Sequence, residues 1–411
     1  MTSITIEMIK NDIQLNEIVD LLRDLVALPS YEGIQSQEAN VAKCLNAYFL
    51  AHEIETELIE VVDGRPNVIA VIRGNNNECD RGKNLLLTGH TDTVPPYGME
   101  NPLELRQVDD MLYGRGVLDM KGSLACMAIA MKTIKQYISQ GYKLSGDVYF
   151  IGVIDEEHKS EGTRALVKWL KENEIQLDGA IVGEPSNNGL CIGHRGLEWF
   201  EVSFLGKVVH GGKQFEGVNA IEMSRKFMNK LDEILIPKLR ERIHPILGPS
   251  TINYAVIQGG TQPSTVAGEC TLKLDRRWIP GETIDSVRDE LEEVVALLSI
   301  EDPKFNAQLH VMKESYMDDF FFHEYMIIDE NHEMVKTMDL ISESILGKSL
   351  EHAGFLAWTD AGILSTYGKI DTVVYGPGDM KSAHSKEEHI SKASLQHAAE
   401  IYTAFTLAYC I

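Results

Sequence analysis

The chain has no Cys-x-x-Cys pair, no internal repeat, no low-complexity segment and no flexible Gly/Ser linker. Nor does any apolar stretch reach the roughly 18 to 20 uncharged residues that a membrane span needs. The six cysteines, Cys44, Cys79, Cys126, Cys191, Cys270 and Cys410, are scattered, and no charged-then-apolar leader opens the chain. They are expected to be buried or idle thiols of a cytoplasmic protein. Basic residues are outnumbered, 38 against 62 acidic, so the formal net charge is 38 − 62 = −24. That balance argues against nucleic acid or an anionic membrane surface as a partner.

At 411 residues the chain exceeds what one hydrophobic core usually organises, and two domains are expected. Apolar residues at three- and four-residue steps through Leu15, Ile18, Leu22 and Leu25 predict an amphipathic helix stopped by Pro29. A second helix follows through Val41, Leu45 and Phe49. Apolar runs at 67–72, 85–87, 148–154 and 180–182 then alternate with helical patterns over about 120–138 and through Ala165, Leu166, Trp169 and Leu170. Such alternation predicts an α/β domain with a mixed, mainly parallel sheet covered by helices.

The rhythm changes near Gly193. Strands at 199–204, 252–257, 270–274 and 307–311, with helices at about 219–235 and 284–298, follow the β-α-β-β-α-β order of a ferredoxin-like α+β domain. A helix near 331–345 and a strand at 372–375 resume the first pattern. Residues 195–314 are therefore expected as an insertion between two parts, 1–194 and 315–411, of the larger domain.

Acidic and imidazole side chains stand where the apolar runs end. In order they are Thr88-Gly89-His90-Thr91-Asp92, Gly114-Arg115-Gly116-Val117-Leu118-Asp119, Asp155-Glu156-Glu157, Gly183-Glu184-Pro185, and Gly376-Pro377-Gly378 running to Ala383-His384. Open α/β sheets present ligands at the carboxyl ends of their strands. Residues two apart in extended chain face one side, so Asp92 is placed to accept the second ring N–H of His90 and fix it for metal binding. Within Asp155-Glu156-Glu157 one carboxylate could bind metal while another takes a proton from an activated water. Each motif has an ordinary alternative: a turn for His90 and Asp92, a helix N-cap for Asp119, a solvated loop for Glu156 and Glu157, a surface ion pair for Glu184. Gathered together, carboxylates and imidazoles are costly unless cations neutralise them, and the economical reading is a two-metal hydrolytic site.

With these motifs in this order the chain resembles the zinc-dependent aminoacylase/carboxypeptidase family, and within it the acetylornithine deacetylase and succinyl-diaminopimelate desuccinylase branch. The resemblance implies that His90 and Glu184 hold one zinc, Glu157 and His384 the other, and that Asp119 bridges both. It implies Asp92 as the residue orienting His90, and Glu156 as general base and later acid. Cobalt or manganese would be substitutes. Gly206-Lys207-Val208-Val209-His210 resembles the segment whose histidine reaches the partner subunit's active site to polarise the scissile carbonyl. Asp275-Arg276-Arg277-Trp278 resembles the segment whose arginine, Arg277, grips a substrate carboxylate. For His210 and Arg277 the ordinary alternative is a surface residue. A homodimer joined through the inserted lid and dimerisation domain is implied as well. Two positions depart from the pattern: Gln214 stands where proline is common, and Ser264-Thr265-Val266-Ala267 replaces Asn-Val-Val-Pro, removing an amide.

The expected activity is therefore hydrolysis of an N-acyl amino acid by a cytoplasmic di-zinc amidohydrolase. Glutamate rather than aspartate at 184 fits, by resemblance, the deacylase side of the family. A dipeptidase or carboxypeptidase with the same machinery is the alternative, and a non-catalytic binding protein of the same fold the remote one. A phosphate-binding loop at Gly376-Pro377-Gly378-Asp379-Met380-Lys381-Ser382 is discounted, because no glycine precedes the lysine and the loop is too short.

Overall fold

A computed structural model of the protein describes residues 4–75, 82–318 and 320–410. Cys79 lies outside them. The described residues divide into two compact units, one comprising Met1–Gly193, Met326–Phe355 and Thr359–Ile411, the other His194–Tyr325 with Leu356–Trp358.

The larger unit is built on a nine-stranded mixed sheet. Its central strands Val148–Val153, Leu85–His90, Gly179–Val182 and Thr372–Val374 lie side by side and parallel. The antiparallel pair Glu55–Val62 and Arg65–Ile72 extends one side. The central strands are buried along their whole length, which is why they read as unbroken apolar runs rather than alternating ones. Helices Lys121–Ser139 and Lys392–Tyr409 pack against each other. Lys392–Tyr409 gives little periodic signal because Leu395, Ala399, Tyr402, Phe405 and Tyr409 are buried together with Thr403 and Thr406.

Two glycines let the first of these helices press on the sheet where the strands end. A Cβ on Gly89 would lie 2.0 Å from the Met120 side chain, and one on Gly183 would lie 2.2 Å from Ser123 Oγ. Any larger residue would push the start of the helix, and Asp119 with it, away from the strand ends.

In the smaller unit four antiparallel strands run in the order Thr251–Gly259, Glu269–Trp278, Gly196–Leu205, Ala307–Val311, with helices Ala220–Ile234 and Ile284–Glu301 connecting them. Phe200, Val202 and Phe204 meet Phe227, Leu231, Leu272, Leu274, Val287 and Leu291 in one core. Thr251–Gly259 is an edge strand, and its Val256 and Ile257 are exposed. The sequence rhythm places the second junction at residue 314, whereas this unit continues to Tyr325. The reason is hydrogen bonding: Leu197 N donates to the His323 carbonyl at 2.8 Å, and Ser315 Oγ bonds the buried Glu198 carboxylate. No helix among the described residues is long and apolar enough to cross a membrane.

Candidate metal centre

Sheet register brings the motifs level. His90 stands opposite Val153 on one neighbour, and Thr88 opposite Val182 on the other. With strands about 4.8 Å apart, the chain leaving Val153 and the chain leaving Val182 open on either side of His90. Beyond Val153, Asp155 takes a left-handed backbone (φ 68°), a conformation uncommon for residues with a side chain, though aspartate enters it more readily than most. Arg65 holds it. Its Nη2 lies 2.7 Å from Asp155 Oδ1 while its fork binds Glu38 at 2.8 and 2.6 Å. The Asp92 carboxylate receives the next two main-chain donors, Glu156 N at 3.3 Å and Glu157 N at 3.0 Å.

The side chains meet around Asp119. His90 Nε2 lies 3.0 Å from Asp119 Oδ1 and 3.7 Å from Glu184 Oε1. His384 Nε2 lies 3.1 Å from Asp119 Oδ2 and 3.0 Å from Glu157 Oε1. Each oxygen of one carboxylate thus faces a different imidazole. Ligand atoms of His90, Glu156 and Glu184 lie within 4.8 Å of one another, as do those of His90, Asp119 and Glu157. The ordinary role for Asp119 is not taken up: Met120 is the N-cap of Lys121–Ser139, and no side chain caps that helix. The nearest acceptor for His90 Nδ1 is the main-chain carbonyl of Asp92 at 3.1 Å, with its carboxylate at 3.4 Å. That carboxylate is drawn instead to the two backbone N–H groups.

The electrostatics are those of an anion cluster sharing too few positive charges. Burial, then repulsion from Glu184, raises Glu156 well above the carboxylate range. Burial raises Glu184 likewise, and burial followed by Asp119 raises Glu157. Burial disfavours a charged His90, yet Glu184, Asp119 and Asp92 hold its pKa well above the ordinary value. Hydrogen bonds to Asp119 and Glu157 raise His384 to about 10. Glu184 Oε1 is buried without a hydrogen-bond partner. Tetrahedral ligands at 2.0–2.1 Å from a zinc ion stand about 3.3 Å from one another, and the observed 3.0 to 3.7 Å spacings bracket that value. Oxygen and imidazole donors, an orphaned carboxylate oxygen and unrelieved negative charge together fit divalent cations.

One consequence is measurable. His384, raised to about 10, carries a proton near neutral pH, and a cation must displace that proton to bind. Titration of metal-free protein with zinc should release protons, so the calorimetric enthalpy should vary with the ionisation heat of the buffer and affinity should rise with pH. Identical enthalpies in all buffers would contradict this.

Residues 86–408 match the family described as Peptidase family M20/M25/M40. The chain belongs to this family. It is 26% identical over 422 residues to a probable succinyl-diaminopimelate desuccinylase of Staphylococcus aureus, covering 96% of this chain and 97% of that one. It is 28% identical over 416 residues, 96% and 94% of the two chains, to the N-formyl-4-amino-5-aminomethyl-2-methylpyrimidine deformylase of Halalkalibacterium halodurans. Its fold is similar to that of aminopeptidase PepT from Bacillus cereus, with a TM-score of 0.79 at 20% identity, covering 97% of this chain and all of that one. As an M20 member the protein is an amidohydrolase of a metal-dependent family.

Of the side chains expected at the site of this M20 enzyme, His90, Asp92, Asp119, Glu156, Glu157, Glu184 and His384 belong to the larger unit, and His210 and Arg277 to the smaller. His210 is exposed, and its Nδ1 accepts the Gly212 N–H at 3.1 Å. Arg277 is engaged by Asp275 two residues earlier on the same strand, with Nε to Oδ1 2.8 Å and Nη2 to Oδ2 3.1 Å. Sequence reasoning passes over Glu38, Arg65 and Glu388. Their partners lie far along the chain, and nothing local marks them.

Proposed function

We propose that this M20 enzyme uses two zinc ions, with cobalt or manganese as substitutes, to remove the acyl group from an N-acyl amino acid. The observation that carries the reading is the Asp119 carboxylate, each oxygen of which faces a different histidine. Asp119 would bridge the two ions, with His90 and Glu184 completing one site and Glu157 and His384 the other. When bound, the cations would supply Lewis acidity to the scissile carbonyl and to the attacking water. Glu156 would take the proton of that water and return it to the leaving amine. Asp92, through its carbonyl and carboxylate, would keep His90 in orientation.

The Gly212 N–H occupies Nδ1 of His210, which leaves the proton of the neutral ring on Nε2. A donor in that state suits a developing oxyanion. Arg277 would bind a substrate carboxylate in competition with Asp275, so its contribution should be smaller than that of an unpaired arginine. The bare edge of Thr251–Gly259, with Val256 and Ile257 exposed, supports a two-fold homodimer joined through the smaller unit. Free Cys44, Cys126, Cys191, Cys270 and Cys410 support a cytoplasmic setting.

The relatives' names specify a succinyl and a formyl group, which supports acyl removal without choosing the acyl. Metal-reconstituted enzyme should therefore be offered N-acetyl, N-formyl and N-succinyl amino acids beside dipeptides. Turnover of an N-acyl amino acid is expected. Turnover of dipeptides alone would move the protein to the dipeptidase or carboxypeptidase reading, and inertness toward all of them would place its amide substrate outside the N-acyl amino acids and dipeptides. Glu157→Gln, which alters a ligand, should weaken metal binding about 10-fold or more by calorimetric titration. Unchanged affinity would remove Glu157 from the ligand set.

A further inference from the structure

We propose that Arg115 and Glu388 form a reciprocal clamp that positions the Asp119 and His384 half of the metal centre; the proposal rests on the two-cation reading above. Arg115 precedes Asp119 in its glycine-flanked loop, and Glu388 follows His384 in the other. Glu388 Oε1 accepts the main-chain N–H groups of Leu118 at 3.0 Å and Asp119 at 3.2 Å, while Oε2 pairs with Arg115 Nη1. Arg115 Nη2 in turn donates to the carbonyl of Ser385, the residue after His384, at 3.2 Å. Each loop thereby lends a charged side chain to the backbone of the other, next to the peptide of the proposed ligand.

The two halves of the centre need different support. His90 is the last residue of a central strand, 1% exposed, and the sheet itself fixes it. His384 is 44% exposed, has a left-handed backbone (φ 56°) and follows a single 3-10 turn, Met380–Ser382. Secondary structure does little to hold it. The Arg115 and Glu388 side chains are 2% and 0% exposed, and a buried ion pair is rarely the most stable filling for such a space. Arg115 Nε is left without a partner, as expected of a pair kept for geometry rather than for maximal stability. The clamp sets the 3.1 Å approach of His384 Nε2 to Asp119 Oδ2, and so the size of the opening that a cation would enter.

The test is calorimetric titration of metal-free full-length protein with cobalt chloride. Glu388→Gln keeps an acceptor for the two N–H groups but loses the ion pair. Arg115→Lys keeps the charge but loses the second arm. In each, affinity at the cation site that includes His384 should fall about 10–100-fold, the usual cost of removing a ligand's supporting partner, while the site held by His90 and Glu184 falls less, because it feels the change only through Asp119. The double variant Arg115→Met, Glu388→Met also strips the Leu118 and Asp119 N–H groups of their acceptor and should melt below the wild type, yet its loss of affinity should remain greater at the His384 site, whereas a merely structural pair would weaken both sites alike. Adding Glu388→Gln to His384→Ala should lower the surviving site by less than Glu388→Gln alone lowers the His384 site. Wild-type affinities at both sites in the folded variants, or a parallel fall at both, would overturn the clamp. Wild-type protein that takes up fewer than two cobalt ions would overturn the two-cation reading itself, and the clamp with it.

Discussion

Glu156→Gln protein should bind cations as the wild type does and hydrolyse its N-acyl substrate about 10²–10⁴-fold more slowly. Glutamine keeps the size of the side chain and its capacity to hydrogen-bond, and it removes only basicity. The backbone of residue 156 is held independently by Asp92, so the exchange leaves the loop in place. Initial rates at saturating substrate, read beside metal content by elemental analysis, separate two outcomes. A rate loss with two cations retained places the proton-transfer step on Glu156. A lost cation would move Glu156 into the ligand set, a real competitor because its carboxylate lies with His90 and Glu184 in a group able to grip metal. Retained activity would shift the base elsewhere.

Two inactive proteins should restore each other when mixed. If His210 serves the active site of the partner subunit, a heterodimer of His210→Ala with Glu156→Gln gathers both lesions into one site and leaves the other whole. Random exchange of equal amounts makes half the dimers mixed, each with one working site, so about a quarter of wild-type activity should return. His210→Ala alone should still dimerise and bind metal, because His210 is exposed and buries nothing. Exchange is verified by mixing differently tagged subunits and recovering the mixed dimer. Confirmed exchange without recovered turnover would withdraw the in-trans role.

How much of this was legible beforehand depends on the range of each interaction. His90 and Glu184 stand directly after runs whose unbroken apolarity signals a buried central strand, and that pattern is local. Glu156 and Glu157 were visible as a carboxylate pair for the same reason. Asp119 was ambiguous, since an aspartate before a helix is usually a cap, and only the approach of two distant histidines gives it another use. Asp92 was read through extended-chain alternation, which misses the main-chain donors arriving from the neighbouring strand's loop. Arg65 with Glu38 and Arg115 with Glu388 are long-range pairs without periodicity or spacing to announce them. The extension of the smaller unit to Tyr325 escaped for a related cause: its bonds to Leu197 and Glu198 give residues 315–325 no rhythm of their own.

The edge strand Thr251–Gly259 also bears on how the protein behaves in solution. Its sequence, Thr-Ile-Asn-Tyr-Ala-Val-Ile-Gln-Gly, holds neither charge nor proline, the usual guards that stop a free strand from recruiting copies of itself into aggregates. The shift in register between Tyr254 and Val256 is the one protective irregularity along it. Colloidal stability then rests on two things, the strongly negative net charge and whatever covers that edge. Raising the salt weakens the first, and a lysine at Ile257 would guard the second, trading self-association for shelf life.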